Sequence, residues 1–142
     1  MTTPPDTVQS PLFLAVGHCG PDSWMLRTAV QRVVEGAEVE TIAEEDDLHA
    51  RLASADRRPT VLMVNRSLDG LFDAVDGIEL IRAVHGPDVR HVSMLVSNLD
   101  DAQARAEAAG AIKGFGKTDL NAVGTGDALR AAVEAARAGL AD

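Results

Sequence analysis

Four short segments hold the residue types that could do chemistry: Gly17-His18-Cys19-Gly20, Asn65-Arg66-Ser67, Val96-Ser97-Asn98 and Lys117-Thr118. Between them they supply an imidazole, a thiol, amides, hydroxyls, a guanidinium and an ammonium, and no carboxylate. An amide is a poor nucleophile, so Asn65 and Asn98 offer no covalent catalysis. Mg²⁺ requires anionic oxygens, and none of the four segments supplies one. Adjacent His18 and Cys19 could chelate a transition metal if further ligands converged. No CxxC or HxxxH accompanies them, and His49, His85 and His91 fall elsewhere, so no metal or other cofactor is expected. Cys19 is expected to be a partly buried structural thiol. His18, Arg66 and Lys117 together would suit an anion. The phosphate loop GxxxxGK[ST], a GxGxxG after the first strand and the nucleophile elbow GxSxG are all absent. Gly17-x-x-Gly20 is too short for a nucleotide signature, and no enzymatic activity is expected.

Each of the four segments ends an apolar run. Leu12–Val16 predicts strand 1, Val39–Ile42 strand 2, Thr60–Val64 strand 3, Val92–Val96 strand 4 and Ala111–Gly116 strand 5. Helical spacing fills the gaps. Helix 1 starts with Asp22 or Ser23 as N-cap, turns Met25, Leu26, Ala29, Val30 and Val33 inward, and stops at Gly36. Helix 2 covers Glu44 to Ala55, with acids at its positive end. Helix 3 covers Gly77 to His85 and is ended by Gly86-Pro87. Helix 4 covers Asp100 to Ala109 and is ended by Gly110. A long loop, Asn65 to Asp76, precedes helix 3, and a polar linker, Thr118 to Gly126, precedes helix 5, Asp127 to Ala138. Apolar strands alternating with helices imply a doubly wound α/β sandwich on a five-stranded parallel sheet. In such a fold the C-terminal strand ends form the site.

The 142 residues are the usual size of one domain. Residues 1–10 read as a disordered tail, without the basic start and apolar core of a signal peptide, and 11–142 as a single domain. No apolar run approaches the roughly 20 residues of a membrane span. A single cysteine fits a reducing cytoplasm. The net charge of −9 argues against nucleic acid, whose phosphates attract clustered cations, and leaves a protein partner as the better expectation.

The segment DGIELIRAVHGPDVRHVSMLV, followed by AQARAEAAGAIKGFGK, resembles the second half of a response-regulator receiver domain, a flavodoxin-like (βα)5 fold. The Asp76-Gly77 step into helix 3 is similar to the family's, as is Ala109-Gly110-Ala111 with Lys117 seven residues beyond the glycine. The resemblance implies a phosphoacceptor position at Asn65, metal-ligand positions at Gly17 and His18, a hydroxyl position at Val96 or Ser97, and the pairing lysine at Lys117. The aromatic switch position falls on Gly114, with Phe115 on the opposite side. Thr118 stands where a proline is usual, and the loop after strand 3 is longer than usual. The resemblance thus implies a degenerate receiver in which nucleophile and metal site are lost together.

Such a chain would be a non-catalytic signalling module, independent of aspartyl phosphorylation. Its expected partner is a histidine kinase or another signalling protein, with a homodimer through helix 4, strand 5 and helix 5 as a further possibility. A small-anion sensor using Lys117, Arg66 and His18 is the alternative. Lys117 needs a counter-charge, and Asp69, Asp73 or Asp76 in the long loop is expected to provide it, in preference to a bound anion. Asn65 is expected to bond its own turn. Arg66 either faces solvent or joins those aspartates, and Trp24 is either a core or a contact residue.

Overall fold

The computed structural model describes residues 10–54, 58–86 and 90–141. The tail at 1–10 and the helix 2 terminus at Ala55 therefore fall largely or wholly outside the described residues. Ten elements alternate: β1 Leu12–Val16, α1 Gly20–Val33, β2 Glu38–Ile42, α2 Glu45–Ser54, β3 Thr60–Asn65, α3 Gly77–Val84, β4 Val92–Val96, α4 Asp100–Ala108, β5 Ile112–Phe115 and α5 Val123–Ala141. A single 3₁₀ turn at Lys117–Asp119 links β5 to α5.

The strands form one parallel sheet in the order β2-β1-β3-β4-β5. Side chains alternate across a strand, and the core divides accordingly. Leu12, Leu14, Leu62, Val64 and Leu95 pack with Leu48, Ile78, Ile81 and Ala106 of α2, α3 and α4. Phe13, Ala15, Val61, Met63 and Met94 pack with Leu26, Val30, Leu129 and Ala132 of α1 and α5. With both faces covered, β1 is buried throughout its length. The β4–β5 ladder breaks register between Met94 and Val96.

Most boundaries shift by a residue or so from the sequence expectation, and three differences bear on the site. Helix α1 starts at Gly20, with Pro21 in its first turn and Cys19 as N-cap without a side-chain bond. A proline suits that first turn because its missing N–H would have no helical partner. Asp22 and Ser23 are therefore inside the helix, and the inward stripe is Ser23, Leu26, Ala29 and Val30, leaving Met25 exposed. Helix α5 starts at Val123, inside the expected linker. Gly124 and Gly126 are poor helix formers, but the Thr125 hydroxyl donates to Asp119 O at 2.7 Å and ties the first turn down. Strand β3 includes Asn65, which carries its amide directly to the C-terminal end of the sheet.

Candidate functional site

The ends of β1 and β3 meet under the long loop, and the loop's contacts determine what can fit there. Gly17 has φ +74, a conformation that glycine alone adopts freely. A Cβ at this position would lie 2.6 Å from Leu68 Cδ2. The Gly17 carbonyl accepts from Asp69 N at 2.9 Å and from Asn65 Nδ2 at 3.0 Å. Farther along, Leu71 N donates to Ala43 O and Glu45 N donates to Leu71 O, both at 2.8 Å. Glu45 Oε1 in turn accepts from Asp73 N at 3.0 Å. The loop is thus a strap docked across the ends of β1 and β2, with the Leu68 side chain lying over Gly17.

Asn65 donates twice, to Gly17 O at 3.0 Å and to Ser67 O at 2.7 Å. Two carbonyl acceptors require two N–H donors, which an amide has and a carboxylate lacks. Its expected bond to its own turn is present, and the second bond ties β3 to β1. Asp76 caps α3, accepting from Glu79 N at 2.9 Å.

His18 is buried, and its Nε2 lies 2.8 Å from Met63 O, so the proton is on Nε2. Nδ1 has no partner among the described residues. Burial pushes the imidazole pKa down to about 4, and nearby Lys117 adds to that, while the Met63 bond and Asp22 oppose it. At neutral pH His18 is uncharged.

Lys117 is where the expectation fails. Its ammonium pairs with Asp22 at 2.7 Å, and each side chain is about one-third exposed. Asp69, Asp73 and Asp76 are not its partners. The Lys117 hydrogen bond holds the Asp22 carboxyl below its ordinary pKa, against a smaller effect of burial. The start of α1 at Gly20 is what makes this possible, since it places Asp22 in the first turn, facing the end of β5.

The cleft between the ends of β3, β4 and β5 has a volume of about 380 Å³ and is lined by Asn65, Arg66, Ser97, Asn98 and Lys117, among others. Val96 is buried among α1 and α5 side chains, and Ser97 Oγ accepts from Leu99 N at 3.1 Å. Arg66 is exposed and forms no ion pair among the described residues. His18 does not line the cleft. Of the three cations expected around an anion, one is neutral and buried and one is already paired.

Cys19 is exposed, which corrects the expectation of a partly buried thiol. Trp24 is 66% exposed and belongs to no core. Among the described residues no group of three or more His, Cys, Asp or Glu is arranged to hold a metal, and no helix is long and apolar enough to cross a membrane. Sequence reasoning missed Asp22, Leu68, Glu45 and Gln103. For Asp22 the signal was Pro21, which fits the first turn of a helix better than the residue before its cap.

No family model and no curated protein matches the chain. Solved structures do. The signal receiver domain of a DNA-binding response regulator from Colwellia psychrerythraea 34H superposes with a TM-score of 0.66 at 19% identity, over 89% of this chain and 99% of that one. The fold is the receiver fold. A response regulator from Thermotoga maritima matches at TM-score 0.59 and 15% identity, over 94% of this chain and all of its own. A response-regulator receiver domain from Rhodospirillum rubrum matches at 0.57 and 14%, over 91% of each chain. In receiver-fold terms, the strap and the Lys117–Asp22 pair lie at the strand ends where such α/β sheets bind ligands.

Proposed function

We propose that this chain is a receiver-fold signalling module that acts through protein–protein contacts, without phosphorylation of a residue at the end of β3. The reading is carried by Asn65. Its amide is committed to two carbonyls, so the position is built for a donor and supplies no attacking oxygen. Leu68 above Gly17 supports it, because the space an acidic metal ligand would need is filled by an apolar side chain. Gly17 and His18 then stand at degenerate metal positions, with Lys117, Ser97 and Arg66 as retained pocket residues. The module needs no cofactor and works in the cytoplasm. Its partner is a signalling protein such as a histidine kinase, or a second copy through α4, β5 and α5. A mainly apolar cleft of about 470 Å³ between β5 and α5, lined by Ile112, Ala128, Ala131 and Ala135 with Lys113 and Asp127 among the rest, fits such a use. The anion-sensor alternative retains Arg66 as its cation and is the weaker reading.

The test is intact-mass spectrometry after incubation with acetyl phosphate and Mg²⁺. The expected spectrum shows the unmodified mass. An adduct that is lost at alkaline pH, as an acyl phosphate is, sinks the proposal.

A further inference from the structure

We propose that Gln103, assisted by Asn98, is a strut that fixes the β4–β5 edge in one arrangement, so that the surface of α4, β5 and α5 is presented without a conformational switch. This deepens the signalling reading and takes its biological meaning from it, while the geometry stands independently.

The β4–β5 ladder loses register between Met94 and Val96. A break in register leaves backbone carbonyls without their regular partners, and unpaired carbonyls in a half-buried position are unfavourable. Gln103, in the first turn of α4, reaches into this break. Its Nε2 lies 2.9 Å from Leu95 O and 3.0 Å from Ser97 O, with Phe115 O a longer third contact at 3.4 Å. An amide nitrogen has two hydrogens, so the two short contacts take them. Phe115 O already accepts from Ser97 N at 2.9 Å. One side chain thereby ties α4 to the end of β4 and packs its amide against Phe115 O of β5.

The facing residue on β5 is Gly114. A Cβ there would overlap the Leu95 carbonyl oxygen and lie 2.8 Å from Gln103 Oε1. Only glycine admits both the close strand approach and the amide. The arrangement repeats two residues later. A Cβ on Gly116 would overlap Asn98 Oδ1, and that oxygen accepts from the Thr118 hydroxyl at 3.0 Å. Two amides from the β4–α4 segment therefore meet two glycines of the β5 end. Leu95 O and Gln103 Oε1 thus leave no room for a side chain at position 114 of β5.

The discriminating variant is Gln103→Glu, which keeps size and shape but faces the same carbonyls with acceptors. Amide hydrogen exchange of the full chain is followed by NMR at residues 95–99 and 113–118, with Leu14 and Leu62 as reference amides. Loss of the two amide donors should speed local exchange at least about tenfold, with the reference amides unchanged. Exchange at Ser97 and Phe115 within twofold of wild type overturns the strut. Should Gln103→Glu fail to fold, relaxation dispersion on the wild type decides. Flat profiles across 95–118 are expected, and microsecond–millisecond exchange there overturns the proposal. An acyl-phosphate adduct would remove the phosphorylation-independent reading yet leave both exchange results standing, so the two failures are distinguishable.

Discussion

The two halves of the strand-end surface are held in opposite ways. At β1 and β3 the main chain itself closes the site: the strap bonds to Gly17 and Ala43, and Leu68 fills the space above. At β4 and β5 the backbone leaves a cleft open, and side chains from α4, α1 and the β5 end hold its walls. The first half is built around a glycine whose positive φ and close contact with Leu68 penalise any side chain, so it tolerates little. The second relies on polar contacts at partly exposed positions, so each of its contacts should matter less. Single substitutions can break or sharpen that contrast.

The largest effect is expected at Gly17. Gly17→Asp combines a left-handed φ with a clash against Leu68 and should cost about 3 kcal/mol. Urea unfolding measures it. Replacing Leu68 by alanine in the same chain should recover the steric part and leave the backbone part. A Gly17→Asp chain as stable as wild type would show that the strap yields easily.

His18 comes next, through pH. Its folded pKa of about 4 lies below the ordinary 6.5, so the unfolded chain takes up the proton first. This contribution is intact above pH 6.5 and is lost as pH falls from 6.5 to about 4. At 1.36 kcal/mol per unit it amounts to roughly 3 kcal/mol. Stability measured across that window should slope downward in wild type, and the slope should flatten in His18→Gln. Equal slopes would place the acid sensitivity elsewhere.

Asn65→Asp should be somewhat milder, at about 2 kcal/mol at neutral pH, because a carboxylate would face two carbonyl oxygens. Protonation supplies one donor, so the penalty should shrink below the acid's pKa, and melting temperatures at about pH 4 and pH 7 should show it. This variant is also expected to stay unlabelled by acetyl phosphate. Rapid labelling would mean that the strap opens to metal.

The smallest effect is expected in the open half. The Lys117–Asp22 pair is about one-third exposed, and a double-mutant cycle of Lys117→Met and Asp22→Asn should give a coupling below about 1 kcal/mol. A coupling several times larger would make this half as tightly built as the other.

The architecture is legible in the sequence because five apolar runs and their spacers repeat one unit, and a buried parallel strand leaves a run of that kind. The sequence misleads where local chemistry is outweighed by a distant contact. Gly124 and Gly126 read as linker, yet a hydroxyl bond from Thr125 secures the helix there. The acid-rich loop attracts the expectation of a partner for Lys117 because its acids are numerous. The observed partner lies 95 residues away, on a helix that starts three or four residues earlier than its expected capping residues suggest. Gln103 gives no signal at all, since a glutamine in an alanine-rich helix reads as an ordinary solvated residue. Asn65 is the reverse case: its identity alone excludes one chemistry, and the geometry supplies the reason for its presence.

The outer strand β2 bears on how copies of the chain behave when crowded. An unguarded edge strand invites another chain to add a strand and seed aggregates. Here Glu38 and Glu40 alternate along it and are held by Arg58 and Arg51. The Arg27 guanidinium donates to Val39 O at 3.1 Å, and the strap takes the backbone groups just beyond the strand end through the Glu44–Leu71 bridge. An incoming strand would have to displace ion pairs, a guanidinium and a loop at once. The loop that closes one half of the site therefore also guards that margin of the sheet against polymerisation.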